Sequence, residues 1–320
     1  MMRVFLTFDV EVWCEDWADL DRDFPDAFQR YIYGPTTSGQ YGLPFELRVL
    51  CEHGLHGVFF VEPLFAARFG VAPLSEIVAL IQDAEHEVQL HLHTEWADEA
   101  CETLLPAVST KRQFLWMFSR AEQVALIEAG KRFFARAGAQ APNAFRAGNY
   151  GLGHDTHAAL KQAHIQFDSS LNSSMLDPAS GLAVEPVYTQ PFLRDGVVEV
   201  PVSVYRDGFA RLRHAQVTAC SFAEMEKFLW RAAAAEWDSV VIVSHSFELL
   251  NPAKDKPDRI AVDRFLKLCR FLDRNRDAFR TQGFRNESPQ PVQNQPPPPM
   301  LPAYLAGLRL AEQVFRRISA

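Results

Sequence analysis

Asp9 and Glu11 stand two residues apart at the end of an apolar run, so a strand would send both carboxylates out from one face. Two carboxylates held that close stay ionised only if a cation sits beside them. The plainer alternative is that Asp9 caps a following helix and Glu11 is solvated. His91, His93 and Glu95 repeat the two-residue spacing and put three metal-capable groups into five residues. Imidazole and carboxylate donors suit zinc or a similar divalent ion. Arg146 follows Phe145 and precedes a turn from Gly148 to Gly151. A guanidinium there can hold a carboxylate through two hydrogen bonds, or form an ordinary surface ion pair. The turn can expose backbone N–H groups, which a developing oxyanion needs. His245 follows the apolar run Val240 to Val243, with Ser244 between. A strand-end histidine beside a metal centre is a natural general acid. A capped helix start is the competing reading, because Ser244 and Ser246 flank it.

These groups need a frame that gathers strand ends. Seven strand-like runs cover residues 3–9, 57–63, 86–93, 143–148, 163–170, 197–204 and 238–246. Most are near-continuous apolar runs, the pattern of strands buried on both faces. Between them, apolar residues recur at helical spacing over 44–54, 74–84, 119–138, 221–236 and 258–279. Ser119 with Glu122, and Ser221 with Glu224, have the spacing of capping boxes, and Gly138 is a helix stop. Phe265, Leu268, Phe271 and Leu272 form one stripe. Strand–helix alternation predicts an α/β fold with a parallel sheet and outer helices. A seven-stranded, distorted (β/α) barrel fits this better than an open sheet. In such folds, catalytic residues sit at the C-terminal ends of strands, and the groups above fall there.

Residues 94–118 and 171–196 are long connections of the kind that carry function. Residues 1–284 read as the barrel domain, and the Pro/Gln-rich stretch 285–302 as an extended linker. Residues 303–320 read as an amphipathic helix with Tyr304, Leu308, Ala311, Phe315 and Ile318 on one face. Docking on its own barrel or on a partner protein ranks ahead of a membrane surface. Three arginines, Arg309, Arg316 and Arg317, are too few for strong electrostatic anchoring.

The composition, 48% hydrophobic and 22% charged, allows a full core and excludes a disordered chain. A net charge of -8 argues against a nucleic-acid partner. Five scattered cysteines, with no Cys-x-x-Cys, argue against a disulfide framework or a structural zinc site. No apolar run has transmembrane length, and the first residues lack a signal-peptide pattern. The expected location is cytoplasmic.

In order along the chain, these motifs resemble the polysaccharide deacetylases with the NodB-homology domain, over roughly residues 3–280. Leu6-Thr7-Phe8-Asp9 resembles the first motif, normally Thr-Phe-Asp-Asp. Residues 57–61 resemble an Ala-Thr-Phe-Phe-Val strand, and residues 86–91 the Gly-His-Glu-Ile-Gly-x-His stretch. Phe145-Arg146-Ala147-Gly148 resembles the Phe-Arg-x-Pro turn, and Ser244-His245 the late Leu-x-x-His motif.

The resemblance implies metal-assisted amide hydrolysis. Asp9 would be the general base, Arg146 would keep Asp9 ionised and oriented, and His245 would protonate the leaving amine. A backbone N–H near Asn149 or Tyr150 would help to stabilise the oxyanion. One divalent metal, zinc by preference, would be held by Glu11 and His91 with either His93 or Glu95. Three departures mark a divergent branch: Val10 replaces the second aspartate, Glu95 replaces the second histidine of His-x-x-x-His, and Gly148 replaces the proline. The implied substrate is an N-acetylated amino sugar, in a glycan or in a lipid- or nucleotide-linked precursor. Aromatics in the long connections, Trp96, Trp116, Tyr188 and Phe192, would stack on sugar rings or else fill the core. A cyclic-amide or ureide hydrolase of the same superfamily, and a non-catalytic carbohydrate-binding relic, are the alternatives.

Overall fold

The structure, a computed structural model, describes residues 1–106, 110–183, 186–285 and 289–319, without the side chains of residues 315 and 317–319. The expectations for Phe315, Arg317 and Ile318, and for residues 286–288 of the linker, lie outside the described set. The chain forms two units, and each draws on more than one stretch of sequence.

The first unit holds residues 1–57, 203–283 and 297–320. It begins with β1 (Met2–Val10), α1 (Leu20–Phe28), a small hairpin of β2 (Pro35–Thr36) and β3 (Gly39–Gln40), and α2 (Leu43–Glu52). At the centre is β1, whose Phe5, Leu6 and Phe8 have no exposed surface. Later segments add the hairpin β10 (Val204–Arg206) and β11 (Leu212–His214), α7 (Phe222–Ala234), β12 (Ser239–His245), α8 (Arg259–Arg274), β13 (Phe279–Thr281) and α9 (Ala303–Ser319). Strand β1 pairs in parallel with β12, from Arg3↔Ser239 to Asp9↔His245. It also pairs in parallel with β13, from Met2↔Phe279 to Val4↔Thr281. The predicted Ser221/Glu224 capping box is present at the start of α7. Phe265 of α8 packs edge-on against Phe8, with ring centroids 6.0 Å apart.

The second unit holds residues 58–202 and 284–296. Its elements are β4 (Gly57–Val61), α3 (Ala66–Phe69), α4 (Ala72–Asp83), β5 (Glu87–Leu92), α5 (Arg120–Ala137), β6 (Ala144–Ala147), α6 (Thr156–Gln162), β7 (Phe167–Asp168), β8 (Phe192–Arg194) and β9 (Val197–Glu199). Strands β4, β5, β6, β7 and β9 run parallel in that spatial order, and β8 folds back antiparallel on β9. Helix α5 opens on the Ser119/Glu122 capping box and stops at Gly138, as the sequence predicts.

Three expectations are corrected. The helix expected over 258–279 ends at Arg274, and the chain then re-enters the first unit's sheet as β13. Phe279 joins the ladder beside Met2, and strand pairing replaces helix continuation. The Pro-rich stretch has the expected extended backbone, but it is strapped down. Gln295 accepts the backbone N–H groups of Thr189 and Gln190, both at 2.8 Å. Farther on, Leu301 N–H donates to the Arg206 carbonyl at 2.8 Å.

The C-terminal helix also turns a different face inward. Tyr304 and Leu308 are exposed, whereas Leu305, Ala306 and Arg309 are buried. Arg309 donates to Glu224 and to Asp207, each at 3.0 Å, and Arg264 pairs with Glu312. The apolar stripe lost to an ion-paired face because two buried carboxylates need a cation. No helix among the described residues is long and apolar enough to cross a membrane. The cysteines form no disulfide among the described residues.

Candidate active site

In the first unit, strand register does the positioning. Because β1 and β12 pair as Asp9↔His245, the last residues of both strands lie side by side. Asp9, Glu11 and His245 offer ligand atoms that all lie within 4.8 Å of one another. His245 Nε2 is 3.9 Å from an oxygen of each carboxylate. Asp9 is 3% exposed and Glu11 is 6% exposed. The Trp13 indole N–H donates to Glu11 Oε2 at 2.6 Å and turns Oε1 toward His245.

Two groups behind His245 were not read from the sequence. Its Nδ1 lies 2.9 Å from Glu248 Oε1, which also accepts the Gln216 side-chain amide. This contact assigns the Nδ1 proton to Glu248 and leaves Nε2 facing Asp9 and Glu11. Burial lowers the affinity of His245 for its proton. Glu248 outweighs that effect, with help from Glu11 and Asp9, and pushes the imidazole up to about 10. The signal was the three-residue interval between His245 and Glu248. Glu46 of α2 is fully buried, and its carboxyl has no hydrogen-bond partner among the described residues. Burial, then Glu248, holds its carboxyl well above the usual range, against a smaller opposite pull from His245.

The second unit gathers the other candidates. Strands β5 and β6 pair as His91↔Arg146, again at strand ends. His91 Nδ1 sits 2.8 Å from the Arg146 carbonyl, which makes Nδ1 the donor. The His91 and His93 rings meet edge-on at 4.8 Å. Glu95 is turned the other way. Its Oε1 accepts the Asn149 side-chain N–H at 3.1 Å, and its Oε2 faces His93 Nδ1 at 3.4 Å. Within this unit, Glu95 therefore contacts Asn149 and lies close to His93.

Gly148 explains one departure. A Cβ there would lie 2.6 Å from His93 Nδ1, so a proline ring and His93 cannot share the space. Asn149 and Tyr150 follow, both at φ +54, a left-handed conformation costly for residues with side chains. Asn149 is exposed and Tyr150 half-buried, so the turn's face reaches solvent.

Trp96 does not stand where a sugar could stack on it. It is 1% exposed and packs edge-on against Phe65 and Phe69, so its ring is spent on the core of the unit. Trp116 stacks on Phe114 at 5.7 Å, and Tyr188 on Phe192 at 4.4 Å.

No protein-family model matches the sequence, and no curated protein matches it. Solved structures do. One from Mycobacterium smegmatis, described provisionally as a polysaccharide deacetylase, aligns with a TM-score of 0.54 and 21% identity, covering 92% of this chain and 94% of that one. The chain has the polysaccharide deacetylase fold. The expected (β/α) barrel class is therefore the observed one. A family 4 carbohydrate esterase from Streptomyces lividans, solved with acetate, aligns at a TM-score of 0.46 and 14% identity, covering 90% of this chain and 98% of that one. The Bc1960 peptidoglycan N-acetylglucosamine deacetylase aligns at 0.44 and 15%, covering 91% and 90%.

Proposed function

We propose that this protein is a metal-dependent hydrolase that removes acetyl groups from an N-acetylated amino sugar, in a glycan or in a lipid- or nucleotide-linked precursor. The observation that carries the reading is the Asp9↔His245 register, which places a carboxylate and a proton-bearing imidazole side by side at paired strand ends. Amide hydrolysis needs both, because water must lose a proton and the departing amine must gain one.

The donor set suits a divalent ion. Glu11, His91 and His93 would hold it, since Glu95 is engaged by Asn149 and faces His93 Nδ1. Such an ion supplies Lewis acidity toward the amide carbonyl and acidifies water. Asp9 would take the proton from the attacking water, with Arg146 as the partner that the resemblance implies for it. His245 Nε2 delivers a proton to the amine, while Glu248 holds Nδ1 and keeps the ring oriented. A backbone N–H near Asn149 or Tyr150 would help to stabilise the developing oxyanion.

Acetate release from a panel of N-acetylated sugars, oligosaccharides and lipid-linked intermediates tests the reading. The purified protein should carry about one divalent metal, and a chelator should abolish turnover. His91→Ala should lose most of the metal; full metal content in that variant would sink the ligand assignment.

A further inference from the structure

The backbone ladder between β6 and β7 is short. It pairs Ala144↔Phe167 and Phe145↔Asp168, and stops one residue before Arg146. Side chains take over from there. Arg146 Nε donates to the Ser169 carbonyl at 3.0 Å, and Nη2 to the Ser169 hydroxyl at 3.1 Å. That hydroxyl passes its own proton to the Val200 carbonyl at 2.9 Å. The Ala147 N–H donates to Ser170 Oγ at 2.8 Å, and Ser170 Oγ–H donates to Asp168 Oδ1. The Ser170 N–H reaches the same carboxyl oxygen at 3.1 Å. Glu199 takes the Leu171 N–H at 3.0 Å, and its other oxygen lies 2.9 Å from His157 Nε2. Arg146, His157, Asp168, Ser169, Ser170 and Glu199 all have no exposed surface.

We propose that the Asp168–Ser170 pair, backed by Glu199 and His157, is a positioning device that fixes the Ala147–Tyr150 turn and the aim of Arg146. Its use in catalysis rests on the deacetylase reading above; the positioning itself does not. Two carboxyls and an imidazole are costly to bury, and an apolar cluster would pack the same volume at lower cost. What the polar cluster adds is direction. It ties residues 168–171 down, and that segment presents the Ser170 hydroxyl to Ala147 and the Ser169 carbonyl and hydroxyl to Arg146. The turn it anchors contains two consecutive left-handed residues, which persist only where the surroundings over-determine them. A site of this kind loses rate when its donors shift by a fraction of an ångström.

Ser170→Ala removes one hydroxyl and leaves the volume nearly intact. Amide hydrogen exchange should speed up at least about tenfold at Ala147–Tyr150, with α5 and β5 exchange and the melting temperature close to the parent. Acetate release should lose about 10²-fold in kcat with KM within about twofold. Asp168→Asn, which keeps the acceptor, should retain parent-level exchange in the turn. Unchanged turn exchange in Ser170→Ala overturns the proposal, and so does a uniform rise across the chain, which marks a merely structural role. His157, Asp168 and Glu199 also offer three ligand atoms within 4.8 Å. An equivalent of metal lost in His157→Gln would make the cluster a metal site instead and overturn positioning. If the parent releases no acetate from any substrate, the deacetylase reading fails while the exchange result still decides this one.

Discussion

Among the described residues, His245 with Asp9 and Glu11, and His157 with Asp168 and Glu199, form two histidine–carboxyl clusters that behave in opposite ways. Around His245, the imidazole is pushed up to about 10. Around His157, burial pushes the imidazole down, against the pull of Asp168. The residue types are the same, so composition does not explain the difference. Access and charge count do. The His245 side chain is 20% exposed and faces Asp9, Glu11 and Glu248. His157 has no exposed surface, and its carboxyl neighbours are themselves pushed up by burial, Glu199 to about 8. At His157 the upward pull of Asp168 is smaller than the effect of burial, so in the sealed cluster burial prevails over charge pairing. On the deacetylase reading proposed above, the open cluster would move protons and the sealed one would hold backbone.

The sharpest break between them is a pair of substitutions. Asp9→Asn is nearly isosteric, so fold and metal content should stay at parent level while turnover falls about 10²–10⁴-fold. A variant within about threefold of the parent would mean that another group takes the proton. Glu199→Ala should do the reverse and cost about 3–5 kcal/mol of stability in a denaturant melt, because it strands His157 and the Leu171 N–H inside the core. If Glu199→Ala melts like the parent, the sealed cluster holds nothing.

The two clusters also differ in how legible they were. Strand ends announce themselves, because an apolar run stops and ionisable residues begin. That rule picks out Asp9, Glu11, His91, His93, Arg146 and His245, and the ladders pair Asp9 with His245 and His91 with Arg146. The sealed cluster escaped it. Asp168 and Glu199 lie on separate strands, paired as neighbours only by register, and His157 sits in the first turn of α6. Helix α9 failed for a related reason. Periodicity counts apolar residues, but the inward face was chosen by Arg309, whose partners Asp207 and Glu224 lie far away in sequence. Trp96 shows the limit of residue type: an aromatic in a long connection reads as a platform until its ring is seen to be buried against Phe65 and Phe69.

A smaller effect probes the open cluster alone. His245→Ala should slow amide hydrolysis more than hydrolysis of an activated acetyl ester, measured side by side. An amine leaves poorly without a proton, whereas a good phenolate leaves unaided. Equal losses on both substrates would reduce His245 to a binding or structural residue, and the contrast with His157 would lose its meaning.

The smallest effect concerns Glu46, which sits beside the open cluster but is buried like the sealed one. Its folded carboxyl is held well above the usual range by burial first and Glu248 second. A carboxyl with a raised folded pKa keeps its proton in the native state after the unfolded chain has released one. Its stability contribution is therefore fully present below the unfolded value of about 4.3, and is lost as the pH climbs toward the raised folded value. Glu46→Gln carries no such proton. It should match the parent near pH 4 and gain on it steadily toward pH 8, by about 1–3 kcal/mol. Thermal melts of both proteins at pH 4, 6 and 8 read this directly. A constant difference across that range would mean that Glu46 ionises freely, and that its pocket is wetter than the closed packing around α2 implies.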